Sequence, residues 1–431
     1  MKKILLFGAG KSATVLIRFL IGQAESNHWQ LVVADANEAL VLQKTKNHPA
    51  TLAVGMDIKD DVLRSSLIAD ADVVISMMPP ALHILIAKDC IRLSKSLLTA
   101  SYVDDAIKAL EPDIKKKGLL FLCEMGLDPG IDHMSAMKLF DEIHAKGGQI
   151  TSFKSHCGGL VAPESDDNPW HYKISWNPRN VVLAGKAGAI YKENGKEMHV
   201  PYDQLFAQQN LVRIDGASPL ELSYYPNRNS LGYIDIYGLH HCDTFIRTTL
   251  RYPQFMSGWN GIIQLGLTDE NPHYASDGKT LHHFFQHQIN THNINFSENF
   301  KCQLEWLGWN DNLTLINKGC CSPADVLQMC LEQKLALKHG DKDMIVMLHE
   351  IEYLQEGKKH AVNSSLVVIG EDESHTAMAQ TVGLPLGIAA CMLLKNEMTL
   401  SGLHIPIIKE IYEPVLGVLS QQGIVFAEKF S

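Results

Sequence analysis

Ile4-Leu5-Leu6-Phe7-Gly8-Ala9-Gly10-Lys11-Ser12-Ala13 is the stretch whose reading decides the fold. An apolar run meets a tight pair of glycines, and Val15, Leu16, Phe19 and Leu20 continue at helical spacing. Leu31-Val32-Val33-Ala34 forms a second apolar run and ends at Asp35. Strand, glycine turn, helix, strand and acid in that order mark a dinucleotide-binding βαβ unit. Gly8 lets the chain turn sharply off the strand. Gly10 lets a diphosphate approach the backbone, and Ala13 replaces the third glycine while still allowing close helix–strand packing. The helix N-terminus, which holds Lys11 and Ser12, offers unpaired N–H groups and a partial positive charge. Asp35 can accept hydrogen bonds from a ribose diol and would repel a 2′-phosphate, so NAD is expected over NADP. The plainer alternative is a glycine-rich βα turn that binds nothing. A P-loop is excluded, because Leu5 stands where its first glycine belongs although Gly10-Lys11-Ser12 mimics its tail.

Working outward, apolar runs at 50–54, 72–75, 97–100 and 119–123 read as further buried parallel strands, with an apolar helix over 82–93. Their carboxyl ends carry Asp57, Ser76, Ser101 and Tyr102, on the edge where open α/β sheets bind ligands. Asp57 and Ser76 are therefore expected on the cofactor, together with Gly8, Gly10, Lys11, Ser12 and Asp35. The pattern changes at Asp128-Pro129-Gly130. Asp128 reads as an N-cap with Pro129 at the first helical position, opening a helix to about His144. Residues 150–252 read as strand and loop, 275–340 as helical, 344–348 and 361–369 as strands. A long apolar helix follows over 376–394 with Pro385 inside it, and 406–426 is helical again.

With 431 residues the chain can build two or three domains, and its 46% apolar and 20% charged residues are ordinary for a globular protein. The net charge of −10 argues against sequence-independent nucleic-acid binding. Lys2-Lys3 lead straight into the first strand with no small-residue cleavage site, and no uninterrupted apolar stretch looks long enough for a bilayer, so neither export nor a membrane is expected. Nine scattered cysteines without a C-x-x-C pair suggest reduced thiols in the cytoplasm. His282, His283 and His287 have no carboxylate or cysteine at ligand spacing, so no metal is expected.

Ser155-His156-Cys157-Gly158-Gly159-Leu160-Val161-Ala162-Pro163-Glu164, Asn168-Pro169 and Tyr172-Lys173-Ile174-Ser175-Trp176-Asn177-Pro178-Arg179 resemble the glutamate-forming saccharopine dehydrogenases, also called saccharopine reductases. So do the stretches from Glu124 to His133, from Thr244 to Tyr252, and Thr381-Val382-Gly383-Leu384-Pro385. The resemblance covers nearly the whole chain. It implies an α/β protein: a Rossmann-type doubly wound parallel sheet over 1–127 and about 395–431, and a mixed α+β substrate and dimerisation domain over 128–394 with a small helical insertion at about 275–340. It also implies oxidation of saccharopine at its lysine-side carbon–nitrogen bond by a nicotinamide, followed by hydrolysis to glutamate and 2-aminoadipate semialdehyde. Fungal members work in reverse with NADPH and carry an arginine soon after the second strand. Here Asp35-Ala36-Asn37 stands instead, which again points to NAD and to the oxidative direction.

A substrate with three carboxylates and two nitrogens needs cations and at least one acceptor. Arg247 and Arg251 are four apart in a β pattern and so share a face, which with Thr249 between them makes a carboxylate clamp. Thr248 joins Arg247 as a substrate candidate, while Arg251 is structural by default. By resemblance, Arg228 binds a carboxylate, Ser101, Tyr102 and Asp128 contact the substrate, and Ser175 lies beside the cofactor. The proton steps are open among Asp128, Tyr102 and Cys157. The plainer roles are capping for Asp128, a buried small residue for Cys157, and a structural ion pair for any one arginine. Two other functions compete: a related dehydrogenase of another secondary amine, such as a carboxynorspermidine-like one, and a non-catalytic nucleotide-binding scaffold. A small amino-acid substrate and a possible homodimer are the expected partners.

Overall fold

The computed structural model describes residues 1–215, 220–292 and 294–431. The chain divides into two compact units, Met1–Lys146 with Ser374–Val425, and Gly147–Glu373 with Phe426–Ser431.

The first unit alternates strands and helices: β1 (Lys3–Phe7), α1 (Thr14–Asn27), β2 (Gln30–Asp35), α2 (Glu38–Thr45), β3 (Thr51–Gly55), α3 (Asp61–Asp70), β4 (Val73–Ser76), α4 (Pro80–Leu93), β5 (Ser96–Thr99), the short α5 (Asp105–Lys108) and α6 (Glu111–Lys116), β6 (Leu120–Leu122) and α7 (Ile131–Ala145). The sheet runs β6-β5-β4-β1-β2-β3, and a further strand, Gly402–His404, pairs outside β6. Every pairing is parallel. Strand order therefore reverses between β1 and β4, the switch point at which such sheets bind ligands. Leu6 pairs with Val33 on one side and Ile75 on the other, and all three are fully buried, as a strand covered on both faces requires.

The division differs from the one expected at 127/128 and 394/395. Helices α7 and Ala377–Leu394 both belong to the first unit. Small residues supply the reason: a Cβ at Gly383 would lie 2.9 Å from the Leu16 Cβ, and one at Gly387 would lie 2.6 Å from Phe19. Only glycine lets this helix lie so close on α1, so Thr381-Val382-Gly383-Leu384-Pro385 is a packing motif of the dinucleotide-fold unit. The last residues leave it, since Ala427–Phe430 pairs with Lys358–Ile369 in the second unit. The bilayer expectation also needs correcting. Ala377–Lys395 is long and apolar enough to cross a membrane, but most of it is buried, as in a core helix.

The second unit is built on a mixed sheet ordered Asn210–Ile214, Leu220–Pro226, Thr244–Arg251, Gln149–Val161, Asp343–Gln355, Lys358–Ile369, Ala427–Phe430. Gly158 governs its centre, because a Cβ there would meet the Leu250 carbonyl oxygen at 2.6 Å. Helices Pro253–Gln264, Leu281–His292, Glu298–Leu307 and Pro323–Lys334 bury a separate aromatic core around Trp170, Trp259, Phe284 and Phe285. The helical character expected at 275–340 is present there, and the helix at 253–264 adds to it.

Candidate functional site

The turn after β1 has the geometry that its glycines dictate. Gly8 has φ of +98°, its N–H donates to the Ala34 carbonyl at 2.9 Å, and a Cβ would press on the Met77 oxygen at 3.0 Å. Gly10 differs: a Cβ there would meet nothing within 4 Å, so its backbone borders open space. The helical turn Lys11–Ala13 that follows has Gly10 as its N-cap and no side-chain cap, while Ala13 is buried. Open space, a bare backbone and an uncapped helix start form a cradle that a diphosphate fits.

Asp35 has a structural task at the turn. Its Oδ2 accepts the Ala9 N–H at 2.7 Å and its Oδ1 accepts the Asn37 N–H at 2.9 Å. The carboxylate thus ties the glycine turn to the end of β2. Lys44, unmarked in the sequence, reaches from α2 to donate to the Gly10 carbonyl at 2.6 Å. Burial pulls its pKa down to about 8, against the attraction of Asp35. Asp57 is drawn into its own turn, accepting the Lys59 N–H at 2.9 Å on the way to α3.

Across the switch point, β4 ends at Ser76 and β5 leads to Ser101, and one histidine joins them. His83 Nδ1 lies 2.8 Å from the Ser76 hydroxyl, and Nε2 lies 2.7 Å from that of Ser101 and 3.4 Å from that of Thr99. Sequence gave no signal for His83 beyond a polar residue on the buried side of an apolar helix. Its burial pushes the imidazole down from 6.5 to about 4, with Asp104 pulling weakly the other way. A base with a depressed folded pKa contributes stability that is complete above 6.5 and lost as pH falls towards 4. The shift corresponds to about 3 kcal/mol at full protonation. Between pH 6.5 and 4, wild type is expected to lose more stability than His83→Gln in chemical denaturation, and parallel curves would refute this.

Tyr102 donates its hydroxyl to Asp128 Oδ1 at 3.2 Å. Asp128 does not cap α7. Gly130 is the N-cap at φ of +146°, a Cβ there would fall 2.1 Å from the Gly126 oxygen, and its N–H goes to Asp132 Oδ1 at 2.6 Å. Asp132 therefore serves the helix start and Asp128 pairs with a phenol. Glu124 supports the same segment: Oε1 accepts the Val103 N–H at 3.1 Å, and Oε2 lies 2.8 Å from Nε2 of the buried His133.

In the second unit, Thr248 is held by His156, whose Nδ1 is 2.7 Å from the threonine hydroxyl and whose Nε2 is 3.0 Å from Glu350 Oε2. The His156 hydrogen bond outweighs burial and holds the Glu350 carboxyl below its usual range. Cys157 is buried on the same strand, and Ser175 is buried beside Ile174, which bridges to Ala336. The Arg247 side chain is buried with its guanidinium 4.4 Å from the Tyr233 ring centroid. Arg251 takes different partners: it donates to the Leu250 carbonyl at 2.7 Å and lies over Tyr172 and Phe255. Arg228 is exposed at φ of +53°, paired in register with Ala189. His282 and His283 are tied to the Trp309 carbonyl and the Tyr274 hydroxyl. Among the described residues no group of three or more His, Cys, Asp or Glu is arranged to hold a metal ion.

A parallel sheet with an open glycine turn at its switch point defines a dinucleotide-fold protein. Two family models cover it: the saccharopine dehydrogenase NADP binding domain over residues 4–122 and the saccharopine dehydrogenase C-terminal domain over residues 126–424. The chain belongs to the saccharopine dehydrogenase family. It is 31% identical to the Saccharomyces cerevisiae protein named saccharopine dehydrogenase [NADP(+), L-glutamate-forming], over 99% of each chain. The solved apo form of the yeast L-Glu-forming enzyme matches it with a TM-score of 0.88 at 31% identity over 100% of both chains. Bovine alpha-aminoadipic semialdehyde synthase is 34% identical over 99% of this chain, which spans only 47% of that protein. These findings overturn the preference for NAD, since the matching domain and the fungal relatives are named for NADP. What fails is the inference from residue type: Asp35 also holds two backbone N–H groups, so an acid at the end of β2 does not by itself report a ribose hook.

Proposed function

We propose that this chain acts on the carbon–nitrogen bond joining the lysine and glutarate parts of saccharopine, as an L-glutamate-forming saccharopine dehydrogenase that uses an NADP-type dinucleotide. The observation that supports it most is the bare Gly10 turn, in a chain that aligns end to end with the yeast enzyme. The dinucleotide, when bound, supplies the acceptor or donor of hydride at the lysine-side carbon. Gly8, Gly10, Lys11 and Ser12 hold its diphosphate, with Ser76 at the end of β4 and Ser175 as further contacts.

The remaining work falls to side chains. Arg228 and Arg247 take substrate carboxylates, guanidinium being the cation suited to planar bidentate pairing. Ser101, with its hydroxyl fixed by His83, and Thr248, with its hydroxyl fixed by His156, are polar contacts that need no reorganisation. As hydride leaves carbon, the secondary amine loses a proton. Water then adds across the carbon–nitrogen double bond, and the amine departs as glutamate. Asp128 and Tyr102 form the hydrogen-bonded pair best suited to hold and pass that proton, with Cys157 as a third candidate.

Purified protein is expected to reduce NADP(+) when saccharopine is added, followed by nicotinamide absorbance. It should run the reverse reaction with glutamate and 2-aminoadipate semialdehyde. Absence of turnover in both directions would end this reading.

A further inference from the structure

Glu124 stands just beyond β6 in a conformation that its residue type does not favour. Its φ is +58°, in the left-handed region that glycine enters freely and a residue with a side chain enters at a cost. Among the described residues it is the one buried non-glycine residue with a positive φ. Such a conformation persists where its surroundings hold it, and strain held in this way points to function. The surroundings here are specific. The Glu124 N–H donates to the Ser101 carbonyl at 3.0 Å, and its Oε1 accepts the Val103 N–H at 3.1 Å. One residue thus brackets Tyr102 from both sides. Its other oxygen, Oε2, lies 2.8 Å from Nε2 of the fully buried His133, in the first turn of α7, the helix that follows Asp128. Tyr102 and Asp128 are only half-buried, so a buried carboxylate holds groups that a ligand can reach.

We infer that Glu124 is a positioning residue, which sets the Tyr102 phenol against the Asp128 carboxylate by tying residues 101–103 to the start of α7. This deepens the proposed function and rests on it for the proton chemistry of that pair. The phenol donates to Asp128 at 3.2 Å, and a misplacement of about 1 Å in a reacting pair can cost about a hundredfold in rate. Glycine would suit the backbone better at this φ. The chain instead carries a glutamate whose two oxygens have separate partners, which a positioning role needs and a turn does not.

The test is a double-mutant cycle on the full chain with Glu124→Gly and Tyr102→Phe. It is read by steady-state saccharopine oxidation and by NMR of tyrosine labelled with carbon-13 at the ring Cζ. Glycine relieves the left-handed backbone and keeps the N–H bond to Ser101, so the loss is that of the side chain. Glu124→Gly is expected to lower kcat by about tenfold or more, with KM within about threefold. In the Tyr102→Phe background the same change should cost less than about twofold, because the group it positions is gone. Glu124→Gln keeps an acceptor for Val103 and a polar partner for His133, and should restore most of kcat. The Tyr102 resonance, assigned by its loss in Tyr102→Phe, should move in Glu124→Gly and stay near its wild-type place in Glu124→Gln. An unchanged kcat in Glu124→Gly, costs that multiply in the double variant, or an unmoved Tyr102 resonance overturns the inference. A wild type without turnover ends the proposed function instead, and the resonance alone then decides whether Glu124 positions Tyr102.

Discussion

Arg247→Met is expected to lower kcat/KM for saccharopine by about a hundredfold to a thousandfold, the range for removing one side of a buried, hydrogen-bonded charge pair. The surroundings of Arg247 argue for a large effect with the fold preserved. Its backbone is anchored on both sides, the N–H by the Ser230 hydroxyl at 3.1 Å and the carbonyl by the Asn227 N–H at 2.8 Å. Its guanidinium rests on Tyr233, so the group is oriented before any carboxylate arrives. Methionine retains the apolar stem and loses the charge and the guanidinium donors. Arg251→Met is the matched control, because that guanidinium lies over Tyr172 and Phe255 and donates to a neighbouring carbonyl. The control should shift thermal stability and leave kcat/KM within about tenfold. Steady-state kinetics on both variants, normalised to folded protein, decide it. A loss below about tenfold for Arg247→Met would remove it from the substrate site.

The parallel sheet of the first unit was legible because each strand is a short apolar run and each turn ends in a residue with a defined conformational need. What stayed hidden has a common cause. Gly402–His404 is too short to show a pattern and becomes a strand only beside β6. The helix at 377–394 reads as apolar on all sides, and its allegiance is set by Gly383 and Gly387 against Leu16 and Phe19, distant in sequence. Asp128 has the local signature of a cap, but Gly130 and Asp132 take that task. Asp35 has the signature of a ribose acceptor, and its oxygens also accept two backbone N–H groups that the sequence does not announce. Residue type told where chemistry could occur. Which partner each polar group serves depended on long-range neighbours: His83 for Ser76 and Ser101, Lys44 for Gly10, His156 for Thr248.

Asp89→Leu is expected to cost about 3–5 kcal/mol, the penalty for leaving one member of a buried ion pair without its partner. Arg64 and Asp89 are both buried, with Arg64 Nε 2.8 Å from Asp89 Oδ2, and the carboxylate also takes Arg92 at 2.7 Å and the Ser65 hydroxyl at 3.2 Å. The pair joins α3 to α4. It also reaches the ligand edge, since Arg64 Nη1 donates to the Ile58 carbonyl and so pins the chain just beyond Asp57 and the end of β3. Burial alone raises the Asp89 pKa, but hydrogen bonds from Arg92 and Arg64, the Arg64 charge and Ser65 together hold it below the usual carboxyl value of 3.8. Its contribution is therefore complete above 3.8 and is lost as pH falls through the lower folded value. For a unit of this size the melting midpoint should drop by about 10 °C. Arg64→Leu added to Asp89→Leu should recover most of that loss, because an apolar pair of similar volume removes the stranded guanidinium. The double variant would still lack the Arg64–Ile58 tether, so its affinity for adenosine nucleotides should stay below wild type even where its midpoint returns. A double variant that remains as unstable as Asp89→Leu alone would show that packing between α3 and α4, and not the ion pair, sets the cost.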